Sequence, residues 1–162
     1  MPDCFLPSTT AEPSVPVHAV IASELPRTIA SLDPSSAAWV AANDFAAVAG
    51  AVLPIPNTDG GIASVLFGLG APASDPRSAL LPGRLANLLP PGVYRLESGF
   101  DDLAATTLAF ALGAYRFSRY RGNAEAPRLK ISEGLDAASI NAIADGVWLA
   151  RNLINTAPND MG

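Results

Sequence analysis

Few side chains in this 162-residue chain are equipped for chemistry, and their spacing does not gather them. Cys4 is the only cysteine and His18 the only histidine. An intrachain disulfide, a cysteine-rich zinc site and a multi-histidine metal site are therefore all excluded. Cys4 is a poor catalytic thiol on sequence grounds, and His18, inside an apolar run, reads as structural or surface. General acid–base work needs paired carboxylates whose environments differ. The available pairs are Asp101 with Asp102, and Asp75 near Glu97. Capping of a following helix accounts for the first, and nothing links the second. Arg116, Arg119 and Arg121, interleaved with Tyr115 and Tyr120, suit a phosphate or RNA contact, but they suit the negative end of a helix better.

The motifs that cradle phosphates or present nucleophiles are missing. There is no Gly-x-x-x-x-Gly-Lys-Ser/Thr loop, no Gly-x-Gly-x-x-Gly after a strand, no His-Glu-x-x-His and no Gly-x-Ser-x-Gly. "FGLGAP", Phe67 to Pro72, has two glycines where a dinucleotide loop has three. Hard-metal sites need several converging carboxylates, and here the acids are spread thinly. No residue is assigned a catalytic, metal-binding or cofactor-binding role.

Composition sets the frame for these absences. Hydrophobic residues make up 49% of the chain, charged residues 15%, and the mean hydropathy is +0.28, which predicts a folded domain. A net charge of -5 and a pI near 4.6 argue against nucleic acid or anionic lipid as partners. The longest apolar stretches, around residues 45–55 and 103–114, fall short of the ~18–20 residues that span a bilayer. Residues 1–16 are rich in Pro, Ser and Thr and lack the basic and apolar regions of a secretory signal. They are expected to form a flexible arm, and the protein is expected to be cytoplasmic.

The elements that must position any site follow from periodicity. "VHAVIAS", Val17 to Ser23, predicts a first strand. "SSAAWVAANDF", after Asp33 and Pro34, predicts a short helix anchored by Trp39. "AAVAGAVLPIP" and "GIASVLFGLG", separated by Asn57 to Gly61, predict a hairpin, since Asn, Asp and Gly tolerate positive φ. Leu81, Leu85, Leu88 and Leu89 predict a helix stopped by Pro90-Pro91-Gly92. "VYRL" predicts a strand. Asp101-Asp102 then starts a helix with Leu103, Thr107, Phe110, Ala114 and Phe117 on one face. After a strand at "PRLKIS", a last helix begins near Asp136. Its Ile140, Ile143, Val147, Ala150 and Ile154 predict one buried face. The alternation predicts an α/β fold, a three-layer-like mixed sheet flanked by helices, with no internal repeat.

"ARNLINTAPNDMG", Ala150 to Gly162, resembles the segment that ends the N-terminal domain of leucyl (cytosol) aminopeptidases. Looser similarity runs upstream in the same order: the "VLFGLG" strand within Ile62 to Gly70, the "FALGAYRFSRYR" helix end from Phe110 to Arg121, and "RLKI". The resemblance implies an arm at 1–16, an aminopeptidase-type N-terminal α/β domain at 17–155 and the start of a linker at 156–162. It implies a C-terminal catalytic domain as partner, homo-hexameric assembly, peptide substrates cleaved at the N-terminus, and two divalent ions, zinc or manganese, in the parent enzyme. Motifs such as "NTDAEGR" that carry those ions in the family are absent here, so no metal-binding or catalytic residue transfers. Asn155, Thr156, Asn159 and Asp160 are expected to shape the connection, with Pro158 stopping the helix. The family domain is also similar in fold to macro domains. An ADP-ribose or other nucleotide-binding module is accordingly the alternative, for which Asn57 to Gly61 is only a faint echo of a phosphate loop.

Overall fold

The computed structural model describes residues 4–71, 78–117 and 125–157. Strand β4, Ile62–Gly70, shows how the layers arise. Successive side chains of a strand point to opposite faces. Val65, Phe67 and Leu69 enter one apolar cluster and Leu66 the other, and all four are buried. A strand apolar on both sides must be covered on both sides.

Among the described residues six strands form one sheet: β1 (Phe5–Leu6), β2 (Val15–Ile21), β3 (Val52–Pro56), β4, β5 (Gly92–Ser98) and β6 (Pro127–Lys130), in the order β1-β6-β5-β2-β4-β3. All neighbouring pairs are parallel except β3 with β4. Helices α1 (Leu25–Ala30) and α2 (Pro34–Ala42) supply Leu25 and Val40 to the cluster on one face. Helices α3 (Leu85–Leu88), α4 (Leu103–Ala114) and α5 (Ala137–Asn155) cover the other, with Leu85, Phe110, Ile140 and Ala144 buried against Val17, Phe67, Tyr94 and Leu129. The expected α/β fold, a mixed sheet between helical layers, is the fold observed.

Local signals fixed most elements. Asp33 caps α2 by accepting from the amides of Ser35 and Ser36, and Pro34 occupies the first turn. Trp39 donates its indole N–H to the Pro54 carbonyl at 3.0 Å, tying α2 to the edge strand. The hairpin turn forms at Asn57 to Gly61, where Asn57 Oδ1 accepts from the amides of Asp59 and Gly61 at 3.0 and 2.7 Å. The leucine-rich segment is tighter than expected: a 3₁₀ turn at Leu81–Arg84 precedes the one-turn α3. A Cβ on Gly113 of α4 would overlap the Gly83 carbonyl, so this turn can lie directly on α4 only with glycine there.

Two expectations fail. The described part of the 1–16 arm is not free of the sheet. Phe5–Leu6 pairs with β6, Leu129 and Ile131 donate to the Cys4 and Leu6 carbonyls at 2.7 and 2.9 Å, and Cys4 and Phe5 are buried. The residues between β1 and β2 then cross basic side chains of β5 and β6: Lys130 donates to the Thr10 carbonyl at 2.7 Å, Arg128 pairs with Glu12 at 2.8 Å, and Arg95 donates to the Ser14 carbonyl. Composition marked the segment as loop, but three cations and an apolar anchor hold it.

The second failure concerns α5. Ile140 is buried as expected, but Ile143 and Ile154 are 51% and 81% exposed, and the other buried residue is Ala144. The helix is turned so that Ile140, Ala144 and Trp148, at steps of four, face the core. The Ile143-Val147-Ala150-Ile154 stripe then lies roughly 100° around the axis, at 100° per residue. The period was correct and the face was not.

Candidate functional site

The reason for that rotation lies at the end of α4, which leaves its last carbonyls without intrahelical partners. Trp148 Nε1 donates to the Ala111 carbonyl and Arg151 to the Leu112 carbonyl, each at 2.9 Å. Asn87 and Arg116 donate to the Gly113 carbonyl at 3.2 and 3.1 Å. Tyr115 links the two helices further. Its ring meets Trp148 edge-on at 5.8 Å, Arg151 sits 5.3 Å over it, and its hydroxyl donates to Asn152 Oδ1 at 3.0 Å while accepting from Asn155 at 3.1 Å. Hydrogen bonds of this kind have fixed directions, whereas apolar contacts do not. They set which side of α5 faces α4.

The consequence is an uncovered apolar face. Ile143, Leu149, Leu153 and Ile154 are all more than half exposed, and Ala150 lies open beside them. Isolated exposed aliphatics need no explanation, but a contiguous ridge along one helix marks a surface that another body covers. This ridge is the candidate functional surface.

The other candidates resolve as follows. His18 Nδ1 lies 2.8 Å from Ser98 Oγ across neighbouring strands. Burial lowers its pKa below the ordinary value, Glu97 opposes this and Arg95 adds to it. The pair ties β2 to β5 beside the Arg95–Glu97 ion pair. Cys4 is buried. Asp102 accepts from the Ala105 amide at 2.9 Å and is the cap of α4, while Asp101 stays exposed beside it. Asp136 caps α5, and the bond from Ser139 holds its carboxyl below the usual range. The "NTDGG" turn closes on Asn57, whose Oδ1 accepts from the Asp59 and Gly61 amides.

Arg116 donates to the Gly113, Tyr115 and Ala86 carbonyls, a structural role at the helix end. Thr156 donates to the Asn152 carbonyl at 2.7 Å and closes α5. Asp75, Arg119, Tyr120, Arg121, Pro158, Asn159 and Asp160 lie outside the described residues. Among the described residues no group of three or more His, Cys, Asp or Glu is placed to hold a metal. The donor set of the described residues does not fit a dinuclear site. No helix among them is long and apolar enough to cross a membrane.

Comparison with known proteins gives this surface a context. Residues 15–131 match the family model described as M17 aminopeptidase, N-terminal domain. The cytosol aminopeptidase from Coxiella burnetii superposes with a TM-score of 0.84 at 30% identity, over 99% of this chain and 35% of that one. A tomato leucine aminopeptidase variant gives 0.67 at 17% identity, over 96% and 38% of the two chains. A bottromycin maturation enzyme solved in complex with Mn gives 0.64 at 21%, over 89% and 32%. At those identities the last two show the fold alone. The chain spans about a third of the length of these proteins. No protein of curated function matches it significantly.

Proposed function

Because the chain belongs to the family of M17 aminopeptidase N-terminal domains, we propose that it is the non-catalytic N-terminal domain of a leucyl aminopeptidase-like metallopeptidase, which releases N-terminal amino acids from peptides. Its own part is assembly and control of access. The observation that carries this reading is the ridge of Ile143, Leu149, Leu153 and Ile154 on α5. A second domain seated there removes apolar surface from water at about 25 cal/mol per Å². The occupant is the C-terminal catalytic domain of the same polypeptide, and the parent enzyme is a cytoplasmic homo-hexamer.

Two divalent ions, zinc or manganese, belong in this reading to the catalytic domain, where they polarise the scissile carbonyl and supply a bound hydroxide. The described residues supply none of that chemistry. The purified chain should accordingly fold and fail to hydrolyse leucine amide, with or without added Mn²⁺. Robust metal-dependent turnover by this chain alone would overturn the proposal.

A further inference from the structure

The sheet is covered unequally on its two faces. Tyr94, Leu96 and Leu129 enter the cluster under α3, α4 and α5, so the alternate residues Arg95, Arg128 and Lys130 turn to the opposite face. There α1 and α2 share a cluster with residues of β2, β3 and β4. The half formed by β5, β6 and β1 contributes nothing to that cluster, and residues 10–14 lie across it instead.

Strand register puts the cations side by side. Leu6 pairs with Lys130, Lys130 with Arg95 and Arg95 with Pro16, one row across four strands. Lys130 and Arg95 are thus neighbours, and Arg128 stands two residues back along β6. Like charges on adjacent strands repel, yet a chain of net charge -5 places its only lysine and two arginines here. Lys130 donates to the Thr10 carbonyl at 2.7 Å and Arg128 pairs with Glu12 at 2.8 Å. Arg95 donates to the Ser14 carbonyl and pairs with Glu97 at 2.6 Å. The covering segment therefore meets the cations at every second position, through two neutral carbonyls and one carboxylate.

This cover is loosely held. Both ion pairs are about 40% exposed on each side, where a pair contributes at most about 1 kcal/mol. Ala11, Glu12 and Pro13 are exposed. The cover is also slack. The row from Leu6 to Pro16 spans three strand spacings, about 14 Å, whereas residues 7–15 reach about 30 Å when extended. Residues 10–14 can lift from the cations while the buried Cys4 and Phe5 keep β1 in the sheet.

We propose that Arg95, Arg128 and Lys130 form a docking surface for an acidic segment of a partner protein, and that residues 10–14 are a displaceable cover in which Glu12 mimics that segment. Carboxylates of the partner take the places of the Thr10 and Ser14 carbonyls and of Glu12. A carboxylate adds Coulomb attraction that a neutral carbonyl lacks, and this difference drives the exchange. A nucleic acid fits less well, because the cations are few and both Glu97 and the net negative charge repel a phosphate chain. The surface lies on the face opposite α5 and does not depend on the aminopeptidase reading.

The test is fluorescence anisotropy of the chain with a fluorescein-labelled peptide of alternating Glu and Ala, matched in length to residues 7–15, beside the Gln–Ala peptide and a thymidine oligonucleotide of similar length. The Glu–Ala peptide should bind saturably and more weakly as salt is added, and the Gln–Ala peptide should not bind. K130Q and R128Q should each weaken binding about fivefold, as expected for a partly exposed ion pair. E12Q should strengthen it about threefold, because the cover competes less and more of the chain is open to the peptide. In ¹H–¹⁵N spectra the amides of Ala11, Glu12 and Ser14 should shift on binding, while the Leu129 and Ile131 amides, bonded to β1, keep their protection from exchange. Absence of saturable binding, equal binding of the Gln–Ala peptide, tighter binding of the oligonucleotide, or unchanged or weaker binding by E12Q would each overturn the proposal.

Discussion

Trp148 of α5 donates its indole N–H to the Ala111 carbonyl of α4 at 2.9 Å, so a side chain of one helix completes the backbone bonding of another. This contact, with its neighbours Arg151 and Tyr115, decides how α5 lies on the domain. It thereby decides which residues α5 presents outward.

Trp148→Phe retains most of the ring and removes the donor. It should lower stability by about 1 kcal/mol, the usual cost of a hydrogen bond lost in partly buried surroundings. Trp148→Ala also loses the packing and should cost about 2–3 kcal/mol, less than a fully buried aromatic. Urea denaturation measures both, and a Trp148→Phe variant as stable as the unaltered chain would show that the hydrogen bond adds nothing.

The edge strand β1 should depend on its apolar anchor rather than on its charges. The Arg128–Glu12 pair is about 40% exposed on both sides, so Arg128→Ala should change stability by no more than about 0.5 kcal/mol. Phe5→Ala should release the arm. Hydrogen exchange would report it through loss of protection at the Leu129 and Ile131 amides, which donate to the Cys4 and Leu6 carbonyls.

His18 gives a pH dependence with a defined sign. Burial lowers its folded pKa below the ordinary 6.5, and Glu97 only partly offsets this. Between those two values the unfolded chain binds a proton that the folded chain refuses, so stability falls as pH decreases. The chain should be fully stable above pH 6.5 and lose stability below it, before carboxylates titrate. His18→Gln should flatten that part of the profile in thermal melts at successive pH values.

The outward stripe of α5 should be neutral for the fold. Ile143→Asp combined with Ile154→Asp changes residues that are 51% and 81% exposed, and the isolated chain should melt within about 0.5 kcal/mol of the unaltered one. Placed in the parent enzyme, the same pair should weaken docking of the two domains. Light scattering and limited proteolysis across residues 156–162 would register the change.

The parts of this structure that were legible in the sequence are those fixed by neighbours in the chain. Asp33, Asp102 and Asp136 announced three helix starts, and Asn57 to Gly61 announced the hairpin. The face of α5 was not legible, because two apolar stripes run along it and the choice between them is made by carbonyls of α4, far away in sequence. The same holds for β1, whose two residues carry no strand period and join the sheet through β6, more than 120 residues later.

The most direct test of the central claim is the mass of the native polypeptide in its source cells, detected with an antibody to this chain, together with leucine-amide hydrolysis in the same fraction. A band about three times the 16.6 kDa of this chain, as its 35% coverage of a cytosol aminopeptidase implies, with metal-dependent activity, is the result expected of an N-terminal domain of a longer enzyme. A band at 16.6 kDa without activity would contradict it and make the chain a free-standing module.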